Sequence, residues 1–433
     1  MRREDQLFTV FPKIIRAGES SRITIRPKFT SLPRRCRVTV KAMEGRGRDP
    51  PPREAEATDD GLTLEIPFDG EQEYVLAVAD ISSPAAARIG EFHLYAVAGD
   101  LHALTPWKGD FHMHSTRSDG REEPAYVAAA CRRIGMDFMA LTDHGRYEPS
   151  LEAMRAFEGR PIDLAIFPGE EVHPPGVSTH ILHLGGSESI NALFKGAGYA
   201  AQIETRAAAL AGTPPELRTA YAVCEWCFDR IRACGGIGIL THPYWVFENA
   251  YHVPEPLLAL LFERIPFDAL EIIGGYLFEE AEANALQVAR WREECSRGNA
   301  AGSGAGKRIP VVGVSDAHGC ETGKLFGWYY TVVFSPTLRF PDLAQSIRAM
   351  GSVAVEAMPG TPSKVYGPFR LAKYAHYLIR EVFPLHDELA LEEGKLMLAM
   401  LAGGQRAEEV LGTYRGRAAR LYERLWSGRA DFS

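Results

Sequence analysis

Apolar and polar residues alternate singly in several short stretches of about the first hundred residues. Ser21-Arg-Ile-Thr-Ile-Arg, Arg37-Val-Thr-Val and Leu62-Thr-Leu-Glu-Ile each present one apolar face, and Tyr74-Val-Leu-Ala-Val-Ala and Phe92-His-Leu-Tyr-Ala-Val add two further strand candidates. Turn-rich segments separate them, notably Gly45 to Arg53 with three consecutive prolines. Short strands punctuated in this way predict a β-sandwich over residues 1–105. From residue 106 the pattern changes to continuous apolar runs: Phe138-Met-Ala-Leu, Leu164-Ala-Ile-Phe, Ile181-Leu-His-Leu, Ile237-Gly-Ile-Leu, Ala269-Leu-Glu-Ile-Ile and Ile309-Pro-Val-Val-Gly-Val. Helical stretches such as Pro124 to Ile134 and Glu279 to Glu294 lie between them. Repeated strand-then-helix units with strands apolar on both faces predict a largely parallel α/β barrel or open sheet over 106–362. A helical insertion is expected at about 186–233, a mobile Gly/Ser/Ala loop at Gly298 to Gly306, and a helical extension over 363–433.

Composition fits this picture and narrows it. The 433 residues are 46% hydrophobic and 24% charged, with 41 Gly and 28 Pro, and exceed what one ordinary core holds. A net charge of −8 argues against a protein held on nucleic acid by a general basic field. The first residues lack the apolar segment of a secretory signal, and no apolar run reaches membrane-spanning length. Seven irregularly spaced cysteines do not suggest a disulfide framework, so a reducing, cytoplasmic setting is expected. Cys224 and Cys227 form a C-x-x-C within a helical stretch without a second pair, and read as packed thiols.

The chemistry is read from where histidines fall. Most lie between His112 and His318, on or just after a predicted strand, where side chains distant in sequence converge in α/β barrels. In Asp110-Phe-His-Met-His, His112 and His114 are two apart and share a face; Ser118-Asp119-Gly120 follows. Asp143 and His144 end the next strand, and Gly169-Glu170-Glu171 ends the one after. His180 and His183, three apart, cannot both point inward from a regular strand. His242-Pro243 and Asp316-Ala-His318 end two more. Buried ionisable groups cost several kcal/mol each, by rough estimate, unless a metal or partner compensates. Five strand ends so furnished therefore point to a metal centre.

Taken together, His112-x-His114 with Ser118-Asp119-Gly120, Thr142-Asp143-His144, Gly169-x-Glu171, a strand His, His242-Pro243 and Ser315-Asp316-Ala-His318 resemble, in order, the polymerase-and-histidinol-phosphatase (PHP) superfamily. The resemblance covers about Lys108 to Gly360. It implies a distorted (β/α)7 barrel holding two or three divalent ions (Mn, Zn or Fe). It also implies their ligands: His112 and His114 with Glu171 and Asp316 at one ion, Glu171 with His183 and His242 at a second, and Asp119, His144 and His318 at the third. Glu170 competes with Glu171, and His180 with His183; the family spacing favours Glu171 and His183. The β-domain running into Trp107-x-Gly-Asp-x-His-x-His resembles the carbaryl-hydrolase-type branch. His173 is a supernumerary candidate.

The function expected is hydrolysis of a phosphomonoester or nucleotide-type small molecule through metal-activated hydroxide. His144 or His318 would protonate the leaving group, and Arg117 would contact phosphate. Arg146 and Lys324 also follow ligand motifs, Tyr244 and Trp245 could wall a pocket, and Glu271 could orient a metal-bound His. Carbamate, ester or amide hydrolysis at the same metals is the alternative, favoured by an aromatic-lined pocket; a non-catalytic metal-containing binding module is a third. A small-molecule partner is expected, with no membrane and no nucleic acid except as a nucleotide substrate. Homo-oligomerisation is left open.

Overall fold

The computed structural model describes residues 3–427 apart from 46, 48, 84, 85 and 301–305. The chain separates into two compact units. One takes residues 1–105, 376–389 and 416–433, the other 106–375 and 390–415. The segment 363–433 is thus divided between them. It forms helices Phe369–Glu381, Phe383–Leu401, Ala407–Tyr414 and Arg417–Ser427.

In the first unit, β1 (Phe8–Phe11), β3 (Glu19–Pro27) and β6 (Leu62–Phe68) make one sheet, while β2 (Ile14–Arg16), β4 (Arg35–Ala42), β5 (Arg53–Glu56), β7 (Gln72–Asp80) and β8 (Ala87–Val97) make another. The alternation read from the sequence is realised: in β4 every second residue is buried, and in β6 four of seven. Ile23, Leu64 and Ile66 from one sheet meet Val38, Leu76 and Leu94 from the other in a single core.

The second unit is mixed α/β. Its strands fall into two large sheets and one two-stranded hairpin. The first runs β11 (Ala165–Phe167), β10 (Phe138–Ala140), β9 (Thr105–Asp110), β19 (Tyr329–Ser335), β20 (Ser352–Glu356) and β21 (Lys364–Tyr366). The second runs β12 (Gly169–Val172), β13 (Ile181–Leu184), β14 (Ile237–Leu240), β17 (Ala269–Gly274) and β18 (Val311–Val314). Single bridges join Met113 to Ala317, both beyond strand ends, and His144 to Glu171 within β12. β13 and β14 are buried throughout, which explains their unbroken apolar runs. Pairing is parallel for β9–β10, β10–β11, β14–β17 and β17–β18, but β12–β13, β13–β14 and β19–β20 are antiparallel.

The insertion forms helices Ile190–Leu193, Tyr199–Ala209 and Pro215–Ala233. Cys224 and Cys227 are buried in the last of these, and burial pushes the Cys224 thiol up to about 12. Helix Ala281–Ala300 takes in Gly298; the rest of the expected small-residue loop, 301–305, lies outside the described residues. After β14 the chain makes a small hairpin, β15 (Val246–Phe247) and β16 (Ala250–Tyr251). Its two turn residues, Glu248 and Asn249, have φ of 50° and 65°, the left-handed pair that a tight two-residue hairpin requires. No described helix is long and apolar enough to cross a membrane.

Candidate metal centre

β9 stops at Asp110, so His112 and His114 lie just past a strand end rather than within a strand. The two-residue spacing still turns both rings to one side, with centroids 5.2 Å apart. Their Nε2 atoms lie 3.2 and 3.0 Å from Asp316 Oδ1, at the end of β18. Glu171 occupies the middle. Its Oε2 is 3.6 Å from His112 Nε2 and 3.7 Å from His114 Nε2, and its Oε1 is 3.2 Å from His242 Nε2. His144 Nδ1 also reaches Glu171, while His144 Nε2 and His318 Nε2 stand 3.3 and 3.4 Å from Asp119 Oδ2.

One expected residue is elsewhere. In the β12–β13 ladder Glu170 pairs with His183 and Glu171 with Leu182, so Glu170 and His183 share the face opposite to Glu171. His183 Nδ1 is 3.1 Å from Glu170 Oε1, and its Nε2 is 3.5 Å from Cys234 Sγ. Glu170 also accepts from Ser189 Oγ, Ile190 N and Asn191 Nδ2, tying down the short helix behind it. His180, three residues before His183, falls on the other face, with Nδ1 2.7 Å from Glu171 Oε1. The expectation for this position therefore passes from His183 to His180. His173 also joins, its Nε2 3.0 Å from His144 Nδ1.

Arg117 is committed elsewhere as well. Its guanidinium holds both Glu152 (2.9 and 2.6 Å) and Glu123 (2.6 Å), which is how a surface Arg is ordinarily satisfied. Arg146 is exposed. Asp143 serves as an organiser: it accepts from Ser115 N, Ser115 Oγ and Ser118 Oγ and so shapes the loop carrying Asp119. Glu271 Oε2 lies 3.2 Å from His112 Nδ1, the position of a carboxylate that fixes a ligand's ring.

Several buried polar atoms in this region make no well-aligned hydrogen bond: His242 Nδ1 and His252 Nε2, and also His112 Nε2, Glu171 Oε2 and His180 Nδ1, which have only ion-pair neighbours. A buried polar atom left wholly unsatisfied costs about 1–3 kcal/mol. The concentration of these atoms around mixed imidazole and carboxylate donors fits divalent metal ions. Ligand atoms close to within 4.8 Å in five sets: His114/Asp119/His144/His318, His112/His114/Asp316, His112/Glu171/His242, His144/Glu171/His173 and His180/His242/His252. Two of these residues, His242 (φ 21°) and Asp316 (φ 50°), hold backbone conformations that non-glycine residues avoid, a strain of about 1–3 kcal/mol each that tends to gather at functional sites.

The electrostatics agree. Burial disfavours charge on His112, yet Asp316 and Glu171 carry its pKa well above the ordinary imidazole value. Burial likewise opposes ionisation of Glu171, but His112 and the other imidazoles hold it well below the usual carboxylate range. By contrast, burial pushes His180 down to about 4 and, with His180 and His242 beside it, His252 down to about 3. These two rings are neutral at pH 7, the form that binds metal.

No protein-family model matches the chain. It is 44% identical over 57 residues to the DNA polymerase/3'-5' exonuclease PolX of Bacillus subtilis, a match covering 13% of this chain and only 10% of that protein. Among solved structures it is similar to a two-domain protein of Bacteroides vulgatus containing a predicted PHP-like metal-dependent phosphoesterase. That likeness has 19% identity and a TM-score of 0.41, covering 58% of this chain and 65% of the other. A protein of Bifidobacterium adolescentis named as a metal-dependent phosphoesterase is 19% identical over 56% of this chain and 95% of its own, with a TM-score of 0.34. An amidohydrolase of Chromobacterium violaceum is 21% identical over 49% and 87%, with a TM-score of 0.30.

Of the ligands implied by the PHP resemblance, the structure brings His112, His114, Asp119, His144, Glu171, His242, Asp316 and His318 together and leaves His183 out. His180, weighed in the sequence against His183 and set aside, lies beside Glu171, and His252, which was not weighed, joins a candidate set with it. Strand alternation showed that only one of His180 and His183 faces inward, but the choice rests on the register with β12. His252 carries no sequence signal, because it is delivered by a hairpin with two-residue strands.

Proposed function

We propose that the chain is a PHP-type metal-dependent hydrolase acting on a phosphomonoester or nucleotide-type small molecule, in a distorted (β/α)7 barrel. The supporting observation is the convergence of eight expected ligands, with His180, in sets whose donor atoms close to within 4.8 Å of one another. His112, His114 and Asp316 would hold one ion beside Glu171; Glu171, His180 and His242 a second; Asp119, His144 and His318 a third. Such ions, as Mn, Zn or Fe, supply Lewis acidity and lower the pKa of water.

The protein's own groups then have distinct tasks. His112 and His114 are fully buried and fix the floor of the site, with Glu271 orienting the His112 ring. The side chains of Asp119, His318 and His144 are 55%, 37% and 29% exposed, so substrate approaches from their side. His318 Nδ1 donates to the Asp316 carbonyl oxygen at 2.8 Å, which leaves Nε2, beside Asp119, as the atom that would bind the ion. That arrangement fixes the tautomer and ring orientation of a ligand histidine. With Arg117 held by Glu152 and Glu123, that guanidinium is not free to meet phosphate charge, which would fall to the ions.

A second reading has its own support. Trp245 stands 5.8 Å from the His242 ring and 5.6 Å from Phe247, and Val246, Phe247 and Tyr251 are exposed. An aromatic rim of this kind suits an aryl carbamate, ester or amide, as in the carbaryl-hydrolase-type branch. The two are separated by a metal-supplemented panel of p-nitrophenyl phosphate, bis-p-nitrophenyl phosphate, nucleotides and aryl carbamates. Phosphatase activity that His112→Ala abolishes supports the first reading; activity confined to carbamates replaces it by the second. No hydrolysis with any metal would leave the non-catalytic binding module. We further propose a cytoplasmic setting and a small-molecule partner.

A further inference from the structure

We propose that His252, delivered by the β15–β16 hairpin, is an additional metal ligand that completes an all-imidazole position with His180 and His242. The inference rests on the metal-centre reading above but concerns a residue outside the motifs that suggested it. Among the described residues this is the one candidate set made of imidazoles alone, with a nitrogen from each ring within 4.8 Å of the others. The rings stand edge to face rather than stacked. His252 is 4.2 Å from His180 at 69° and 5.3 Å from His242 at 61°, centroid to centroid. Packing alone gives no reason to gather three imidazoles when two of their buried nitrogens, His252 Nε2 and His242 Nδ1, lack hydrogen-bond partners. A shared cation does, and Glu171 Oε1, next to both His180 and His242, offers a fourth donor.

The hairpin explains how a residue ten positions after His242 returns to it. Trp245 N donates to His242 O, His252 N to Trp245 O (2.6 Å) and Val253 N to Pro243 O (3.1 Å), so the segment closes on itself. The left-handed pair Glu248–Asn249 reverses the chain in two residues, and the Trp245 ring lies 5.2 Å from His252. His252 is thus held by backbone bonds at a fixed place beside the two strand-end imidazoles.

The test uses the full chain, loaded with Zn²⁺, and reads metal directly. Zinc per chain is measured by plasma mass spectrometry after desalting, and affinity by competition with a chromophoric chelator. His252→Ala should lose one equivalent, or bind it at least about tenfold more weakly, while the remaining equivalents stay. His252→Cys, whose thiolate also binds zinc, should restore the equivalent and show a zinc–sulfur distance by X-ray absorption; a merely structural role would not produce that signature. His252→Ala with undiminished zinc and unchanged affinity overturns the inference while leaving the metal centre standing. Wild-type protein that takes up no zinc, manganese or iron overturns both.

Discussion

At the residue scale, the division of labour between neighbours decides the chemistry. Glu170 and Glu171 are adjacent, and His180 and His183 nearly so, yet one of each pair faces the metal candidates and the other faces away. Loss of His180 should therefore lower metal content, whereas His183→Ala should leave it unchanged. The latter should cost about 1–3 kcal/mol of stability in a urea melt, because buried Glu170 loses a partner. Glu271→Gln should weaken metal binding by about 10–100-fold without altering the ligand set, as measured by chelator competition. The pH dependence follows from the shifts. Glu171, held low, contributes stability above the unfolded carboxylate pKa and loses it as pH falls through its folded value. His112, held high, contributes below about 6.5 and loses it as pH rises through its folded value. A metal must displace the His112 proton. Calorimetric titration with Zn²⁺ should accordingly show tighter binding at pH 8 than at pH 6, with proton release; equal affinity at the two values would contradict it.

At the element scale, strand ends and short returns do the positioning. The apolar runs at 138–141, 164–167, 181–184, 237–240, 269–273 and 309–314 were legible because continuous burial leaves an unbroken hydrophobic signature, and each contains a strand of the structure. β19 and β20 were missed, being short apolar runs without the flanking motifs that marked the others. The antiparallel course of β12, β13 and β14 was also illegible, since pairing partners are set by distant contacts. That register is what separates His180 from His183. The β15–β16 hairpin lacked the Asn-Gly or Asp-Gly signal and used Glu248–Asn249 in its place. Asn249→Gly, which relieves the left-handed residue, should preserve or slightly raise thermal stability. Asn249→Val should destabilise the hairpin and weaken zinc binding at the His252 position, read by the same chelator competition.

At the scale of the whole molecule, the ligand residues all belong to the compact unit that spans 106–375 and 390–415. The other unit, with its two-sheet core, supplies none of them. Candidate ligands drawn from residue 112 to residue 318 would make metal binding a property of the folded unit, so that metal would add directly to its stability. At a free concentration of 100 times Kd, one ion contributes about 2.7 kcal/mol. Calorimetric scans should show the melting temperature rising by several degrees on metal addition and falling with chelator. The most direct measurement is anomalous X-ray diffraction from crystals grown with Zn²⁺, collected on both sides of the zinc absorption edge. Peaks should stand between His112, His114, Glu171 and Asp316, and between Asp119, His144 and His318. Crystals soaked in zinc that show no anomalous density at these residues would contradict the metal centre itself.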